Sequence, residues 1–253
     1  MKLHSLTFVA LFLLISACSQ KSDLSNPTDE AQHIVDSAID FHGLRSLNNA
    51  FVSYKFRTMD YTYDRNGGLF KYTRSQTDSS GAIIDDRLSN DGFIRVIDGV
   101  EAELPQERSA AFTRSVNAVH YFTFLPYNLN DDAANKEYLG TVSLNQKDYH
   151  EVKVTFDQAG GGEDFTDVFL YWFDTEDYSM DYIAYLYYTD GGGVRFREVL
   201  DSERVEGILF QNYINYKPVA DSIDFMQINE LFEAGELVEL SRIINENIEV
   251  TLR

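Results

Sequence analysis

Short runs that alternate apolar with polar residues, cut at close intervals by glycine-containing turns, restrict this chain to one kind of architecture, the antiparallel sheet. Val52, Tyr54, Phe56 and Thr58 alternate with Ser53, Lys55 and Arg57, the period-two pattern of a strand with one face on a core. Asn66-Gly67-Gly68, Ser79-Ser80-Gly81, Asn90-Asp91-Gly92 and Asp98-Gly99 then separate runs expected as strands over 69–76, 82–88, 92–97 and 100–104. Such sequences reach the positive-φ conformations that tight hairpins need, so neighbours in the chain become neighbours in the sheet. The second half repeats the arrangement, with strands expected over 137–144, 149–156, 165–173, 181–188, 194–204 and 207–216.

Helical spacing is confined to a few segments. Asn26 as cap, Pro27 at the first position and Asp29 and Glu30 in the first turn start a helix whose apolar residues are Ala31, Ile34, Val35, Ala38 and Ile39; Gly43 ends it. A second helix is expected over 107–122, after Pro105, with Ala111, Val116 and Val119 on one side and Leu125-Pro126 as its stop. A short helix fits within 220–234. The stretch 237–250 suits a strand or a helix, and Ile243, Ile244, Ile248 and Val250 favour strand. The expected class is mainly β (α+β), a curved antiparallel sheet or half-barrel covered by a few helices, in one domain over 27–253.

One contrast among the strands bears on function. His150, Val152, Val154 and Phe156 alternate with polar residues, whereas Val168, Phe169, Leu170, Tyr171, Trp172 and Phe173 are apolar or aromatic on both faces. A strand of that kind must be covered twice, by helices, by a second sheet layer or by a ligand.

The N-terminus carries an address. Lys2 precedes an apolar run from Leu6 to Ile15, too short for the roughly 20 residues that span a bilayer, and Ile15-Ser16-Ala17-Cys18 closes it. That is the layout of a bacterial lipoprotein signal over 1–17, with Cys18 as the acylated residue and 18–26 as a polar tether. Two or more acyl chains, of the palmitate kind, then hold the protein on a membrane. Ser19 supplies no aspartate signal for inner-membrane retention, so the expected location is the outer membrane, on its periplasmic or its surface face. Cys18 is the sole cysteine, so stability has to come from the core without a disulfide. A net charge of −20 repels phosphate backbones and argues against nucleic acid as a partner.

Local chemistry is sparse. His33, His42, His120 and His150 are isolated, with no zinc spacing, and no Gly-x-Ser-x-Gly elbow is present. Gly160-Gly161-Gly162 and Gly191-Gly192-Gly193 precede strands and read as turns, not phosphate loops. Oxygen ligands crowd at Asn128, Asn130, Asp131 and Asp132, and at Asp157, Glu163, Asp164 and Asp167, but without EF-hand spacing. No catalytic residue, metal or cofactor is expected. Arg195 and Arg197 flank Phe196 on one strand face, where two guanidinium groups either meet a carboxylate or phosphate or pair with acidic neighbours.

Tyr121-Phe122-Thr123-Phe124-Leu125-Pro126-Tyr127-Asn128-Leu129-Asn130-Asp131, followed by Tyr138-Leu139-Gly140, resembles a family of bacterial lipoproteins and secreted proteins of unknown function. Gly160-Gly161-Gly162, Tyr171-Trp172, Asp181-Tyr182, Gly191-Gly192-Gly193-Val194-Arg195-Phe196-Arg197 and Asn212-Tyr213-Ile214-Asn215-Tyr216 extend the likeness across 31–216. In architecture alone, the expected sheet with two helices is similar to the LolA/LolB-like lipoprotein carriers, which implies a sheet wrapped round an acyl-chain concavity with helices as its lid. The leading expectation is a non-enzymatic lipoprotein that binds or carries an apolar ligand such as a lipid, with Phe56, Phe169, Trp172, Tyr185 and Phe196 as lining residues. The alternative is an envelope module that binds protein or glycan through exposed aromatics.

Overall fold

The structure, a computed structural model, describes residues 27–160 and 165–253. The expected signal, Cys18 and the tether lie outside the described residues, as do Gly161, Gly162, Glu163 and Asp164. The chain is mainly β and antiparallel throughout, with two seven-stranded sheets that do not close into a barrel.

Helix α1 (Pro27–Phe41) opens the described chain. Six strands follow: β1 (Ala50–Phe56), β2 (Met59–Asn66), β3 (Leu69–Thr77), β4 (Ile83–Ser89), β5 (Gly92–Ile97) and β6 (Val100–Glu101). After α2 (Gln106–Thr123) come β7 (Ala134–Leu144), β8 (Lys147–Phe156), β9 (Val168–Asp174), β10 (Met180–Tyr187), β11 (Gly193–Val205) and β12 (Ile208–Pro218). The chain ends with α3 (Ile228–Glu233), β13 (Leu237–Ile243) and β14 (Asn245–Leu252). Sheet A runs β14-β1-β2-β3-β4-β5-β6, and sheet B runs β13-β12-β11-β10-β9-β8-β7.

Two expectations are corrected. The run expected as one strand from Val52 to Thr58 ends at Phe56, and a further strand, β2, occupies residues before the first glycine turn. Arg57 takes the positive-φ position of that tight turn (φ 57°), a place where glycine is the usual signal. The segment 237–250 is two strands, one on the edge of each sheet. Ile244 lies between them, and the Asn245 backbone N–H donates to Asn212 Oδ1 (2.9 Å), so the sheets meet at this crossing.

A single core lies between the sheets. Ala31, Ile34, Val35, Ala38 and Ile39 of α1 pack there with Val52, Tyr54, Tyr61 and Tyr63 of sheet A and Val152, Phe169, Tyr171, Phe173 and Ile183 of sheet B. The other face of sheet B carries a second cluster, in which Leu170, Trp172, Ala184 and Phe196 pack under Phe225, Ile228 and Leu237, with Phe232 of α3 stacked on Phe196 at 4.5 Å. Strand β9 is apolar on both faces because each face is covered, in line with its unbroken apolar run.

Gly43 ends α1 and touches the β11–β12 hairpin. Its φ of 71° is left-handed, and a Cβ there would collide with the Gly207 carbonyl oxygen. The adjacent His42 carbonyl accepts from Leu209 N–H at 2.9 Å, so the chain cannot step aside without breaking that bond. Gly43→Ala is therefore expected to destabilise the fold by more than about 2 kcal/mol, combining left-handed strain with a backbone clash. Urea unfolding monitored by circular dichroism checks this.

Candidate ligand-binding site

Helix α2 determines where open space remains. It packs on β3, β4 and β5 of sheet A. Asp86, on β4, accepts from Arg74 Nη2 (2.5 Å) and Arg95 Nε (2.7 Å), while Arg74 Nη1 donates to Ser115 Oγ of α2 (2.6 Å). The Arg95 guanidinium lies 3.5 Å from the Phe112 ring centre, so a buried ion-pair network holds the middle of α2 against the sheet. One turn from its end, His120 is buried among Tyr54, Tyr61, Tyr63, Tyr72 and Phe124, with the Tyr54 hydroxyl 2.9 Å from its Nδ1.

The side of α2 turned to sheet B is looser. Its contacts there lie near its C-terminus: Phe122 is tilted against Tyr185 (ring centres 5.2 Å apart) and lies under the Arg197 guanidinium (4.0 Å), and Tyr121 is tilted against Phe169 (6.4 Å) with its hydroxyl 3.4 Å from that of Tyr171. Two cavities flank these contacts, and both share Ala118 and Phe122 as walls. The first, about 260 Å³, is lined by Phe56, Val119, Tyr213 and Ile243, with Arg197, Asn215 and Ser241 on its sheet-B side and Asn245, at the start of β14, and Arg57 among its further residues. The second, about 370 Å³, is lined by Tyr121, Phe156, Phe169, Tyr185 and Tyr187, with Arg114, Asp131 and Asp167 as charged members. Apolar walls with a few converging polar groups are the general form of small-molecule sites.

Parity along the strands sorts the residues selected from sequence. Phe56 and Arg197 line the first cavity, and Phe169 and Tyr185 line the second. Trp172 and Phe196 point to the opposite face of sheet B, inside the cluster beneath α3, and line neither; this corrects their expected placement. Successive residues of a strand face opposite ways, so Phe196 cannot share a cavity with Arg197. Arg195 shares the face of Arg197, gives Nη1 to the Val194 carbonyl (2.8 Å) and lies 5.2 Å from the Tyr187 ring centre. Neither arginine has an ion pair with a carboxylate among the described residues.

Ala118, Tyr121 and Phe122 are lining residues beyond those expected from sequence, although with Leu125 they form an apolar stripe at helical spacing beside the expected one. Asn215 and Ser241 carry no local signal, because only the pairing of β11, β12 and β13 brings them beside Arg197, and Asn245 reaches the same cavity from β14. Among the described residues, no group of three or more His, Cys, Asp or Glu side chains is placed to hold a metal. Asn130 of the acidic cluster instead bonds to Gln32 and Asp36 of α1.

The histidines fix an acid response. Burial lowers His120 from 6.5 to about 3, and burial, with nearby Arg204, lowers His42 likewise to about 3, so both are neutral in the native protein. His42 Nε2 accepts from Met180 N–H at 3.2 Å. Between pH 6.5 and 3 the unfolded chain binds more protons than the native one, so stability falls as pH falls, by about 1.4 kcal/mol per pH unit for each histidine. Glu151, raised from 4.5 to about 7 by burial, works oppositely: the native state holds its extra proton between those values. Urea midpoints taken from pH 7 to 4.5 are expected to decline, and to decline more steeply in Glu151→Gln. A flat profile in both proteins would contradict the assignment.

The fold has known relatives. A LolA superfamily protein from Nitrosomonas europaea superposes with a TM-score of 0.51 at 14% identity, over 88% of this chain and 93% of the other. A DUF1329 family protein from Desulfovibrio piger gives a TM-score of 0.44 at 11% identity, over 89% and 93%. The architecture is thus LolA-like. No curated protein matches the sequence significantly. Residues 7–245 match the Family of unknown function (DUF6503), and the chain belongs to that family.

Proposed function

We propose that this protein is a non-enzymatic envelope lipoprotein that binds or carries an apolar or amphipathic ligand, such as a lipid, in the space between α2 and sheet B. The observation that carries this reading is the pair of aromatic-lined cavities separated by Ala118 and Phe122 on a helix that is fastened to the other sheet. A ligand can enter by displacing the Phe122 and Tyr121 ring contacts while the Asp86 network stays intact. Acylation at Cys18 anchors the protein at the outer membrane, with the polar tether giving the domain reach.

The rival reading, docking through exposed aromatics, has less support. Among the described residues, the exposed large hydrophobic side chains include one aromatic, Tyr188. The rings serve the interior.

Ala118 is exposed on α2 and borders both cavities, so Ala118→Trp fills them with little cost to the core. Native mass spectrometry of the purified protein is expected to reveal bound lipid, and the variant is expected to bind an apolar fluorescent probe at least about tenfold more weakly, as loss of one well-packed group implies. A clean ligand-free species that takes up no probe would overturn the reading. For the anchor, Cys18→Ser is expected to abolish incorporation of labelled palmitate in cells.

A further inference from the structure

We infer that the smaller cavity is a head-group site for an anion, with the Arg197 guanidinium as its receptor, so that the ligand is an amphiphile carrying a carboxylate or a phosphate. This rests on the ligand-binding reading above and narrows it to one chemical class.

Arg197 is 7% exposed, and its surroundings account for only part of its hydrogen-bonding capacity. Nη2 donates to the Tyr185 hydroxyl at 2.8 Å, whereas Nε is buried with no partner among the described residues. The guanidinium lies 4.0 Å from the Phe122 ring centre and 5.2 Å from that of Tyr185, contacts that favour a cation but do not neutralise its charge. No carboxylate among the described residues lies within ion-pair distance, in a chain whose acidic residues outnumber its basic ones 41 to 21. The buried Arg74 and the partly buried Arg95, by contrast, share Asp86. A buried charge without a counter-ion is costly, and a bidentate oxyanion is the geometry a guanidinium fork accepts best.

The neighbours suit such a head group. Asn215 is the direct cross-strand partner of Arg197; it is buried, its Nδ2 donates to Ser241 Oγ at 3.2 Å, and its Oδ1 has no partner among the described residues. The two unsatisfied polar side chains therefore sit side by side on the sheet-B wall. Arg57, exposed and among the lining residues, adds a second cation. Phe56, Val119, Phe122 and Ile243 supply apolar surface against the first part of a tail, and Phe122 is also the wall of the larger cavity, where a longer tail would continue.

The test compares an anion with its neutral counterpart on the same chain. The purified protein is titrated with cis-parinaric acid and its methyl ester, and with lysophosphatidic acid and the matching monoacylglycerol in a displacement format. The acid or the phosphate is expected to bind at least about tenfold more tightly than its neutral partner, the scale of one charge-assisted hydrogen bond. Whichever anion shows the larger ratio identifies the source of the head group. Arg197→Met is expected to abolish the preference for the anion over its neutral partner, and Arg197→Lys is expected to retain a preference. Equal binding of acid and ester, and of phosphate and monoacylglycerol, by the unaltered protein would overturn the anion site and leave apolar binding standing, as would a preference that survives Arg197→Met. Failure of every compound to bind would overturn both.

Discussion

The uneven attachment of α2 is the constraint from which the rest of the site follows. Its middle is tied to sheet A by one carboxylate, Asp86, shared between Arg74 and Arg95, with Ser115 as the contact on the helix. Its C-terminal half is seated by His120, neutral and enclosed by tyrosines. Both fastenings belong to the same sheet. Towards sheet B the helix offers Ala118 and Asn117, which are small or polar, followed by rings tilted against those of Phe169 and Tyr185. Close packing on one side and sparse packing on the other leave unfilled volume where protein interiors ordinarily have none.

Sheet B, in turn, has more apolar surface than one layer can cover. Its outer face is closed by α3 and the residues before it, over Trp172 and Phe196. Its inner face is divided between α1, which fills its share with Ile34, Val35, Ala38 and Ile39, and α2, which does not. The same sheet therefore carries a packed half and an open half on one face. Arg197 stands in the open half without a counter-ion, which is difficult to reconcile with a role in stability alone.

Much of this was legible in the sequence, and the failures have physical causes. Alternation and turn residues located the strands, and the unbroken apolar run of β9 announced a doubly covered strand. Parity then decided which of its rings faced which layer, and nothing local to Trp172 or Phe196 distinguishes the face under α3 from the face under α2. Strand β2 escaped because its turn uses Arg57 at positive φ instead of glycine. The polar wall of the smaller cavity escaped because Asn215, Ser241 and Arg197 are neighbours through strand pairing alone. The arginines themselves were visible, but whether they meet acidic neighbours or a cavity depends on tertiary placement.

On the proposed function, α2 belongs mechanically to sheet A and loading opens the seam to sheet B. With Cys18 the sole native thiol, spin labels can be placed at chosen pairs of exposed positions, Asn117 with Lys71 on sheet A and Asn117 with Leu200 on sheet B. Distances measured by pulsed electron resonance, with and without a saturating amphiphile, test the claim directly. The Asn117–Lys71 distance is expected to stay fixed while the Asn117–Leu200 distance lengthens on loading; a change confined to the sheet-A pair, or no change in either, would contradict it.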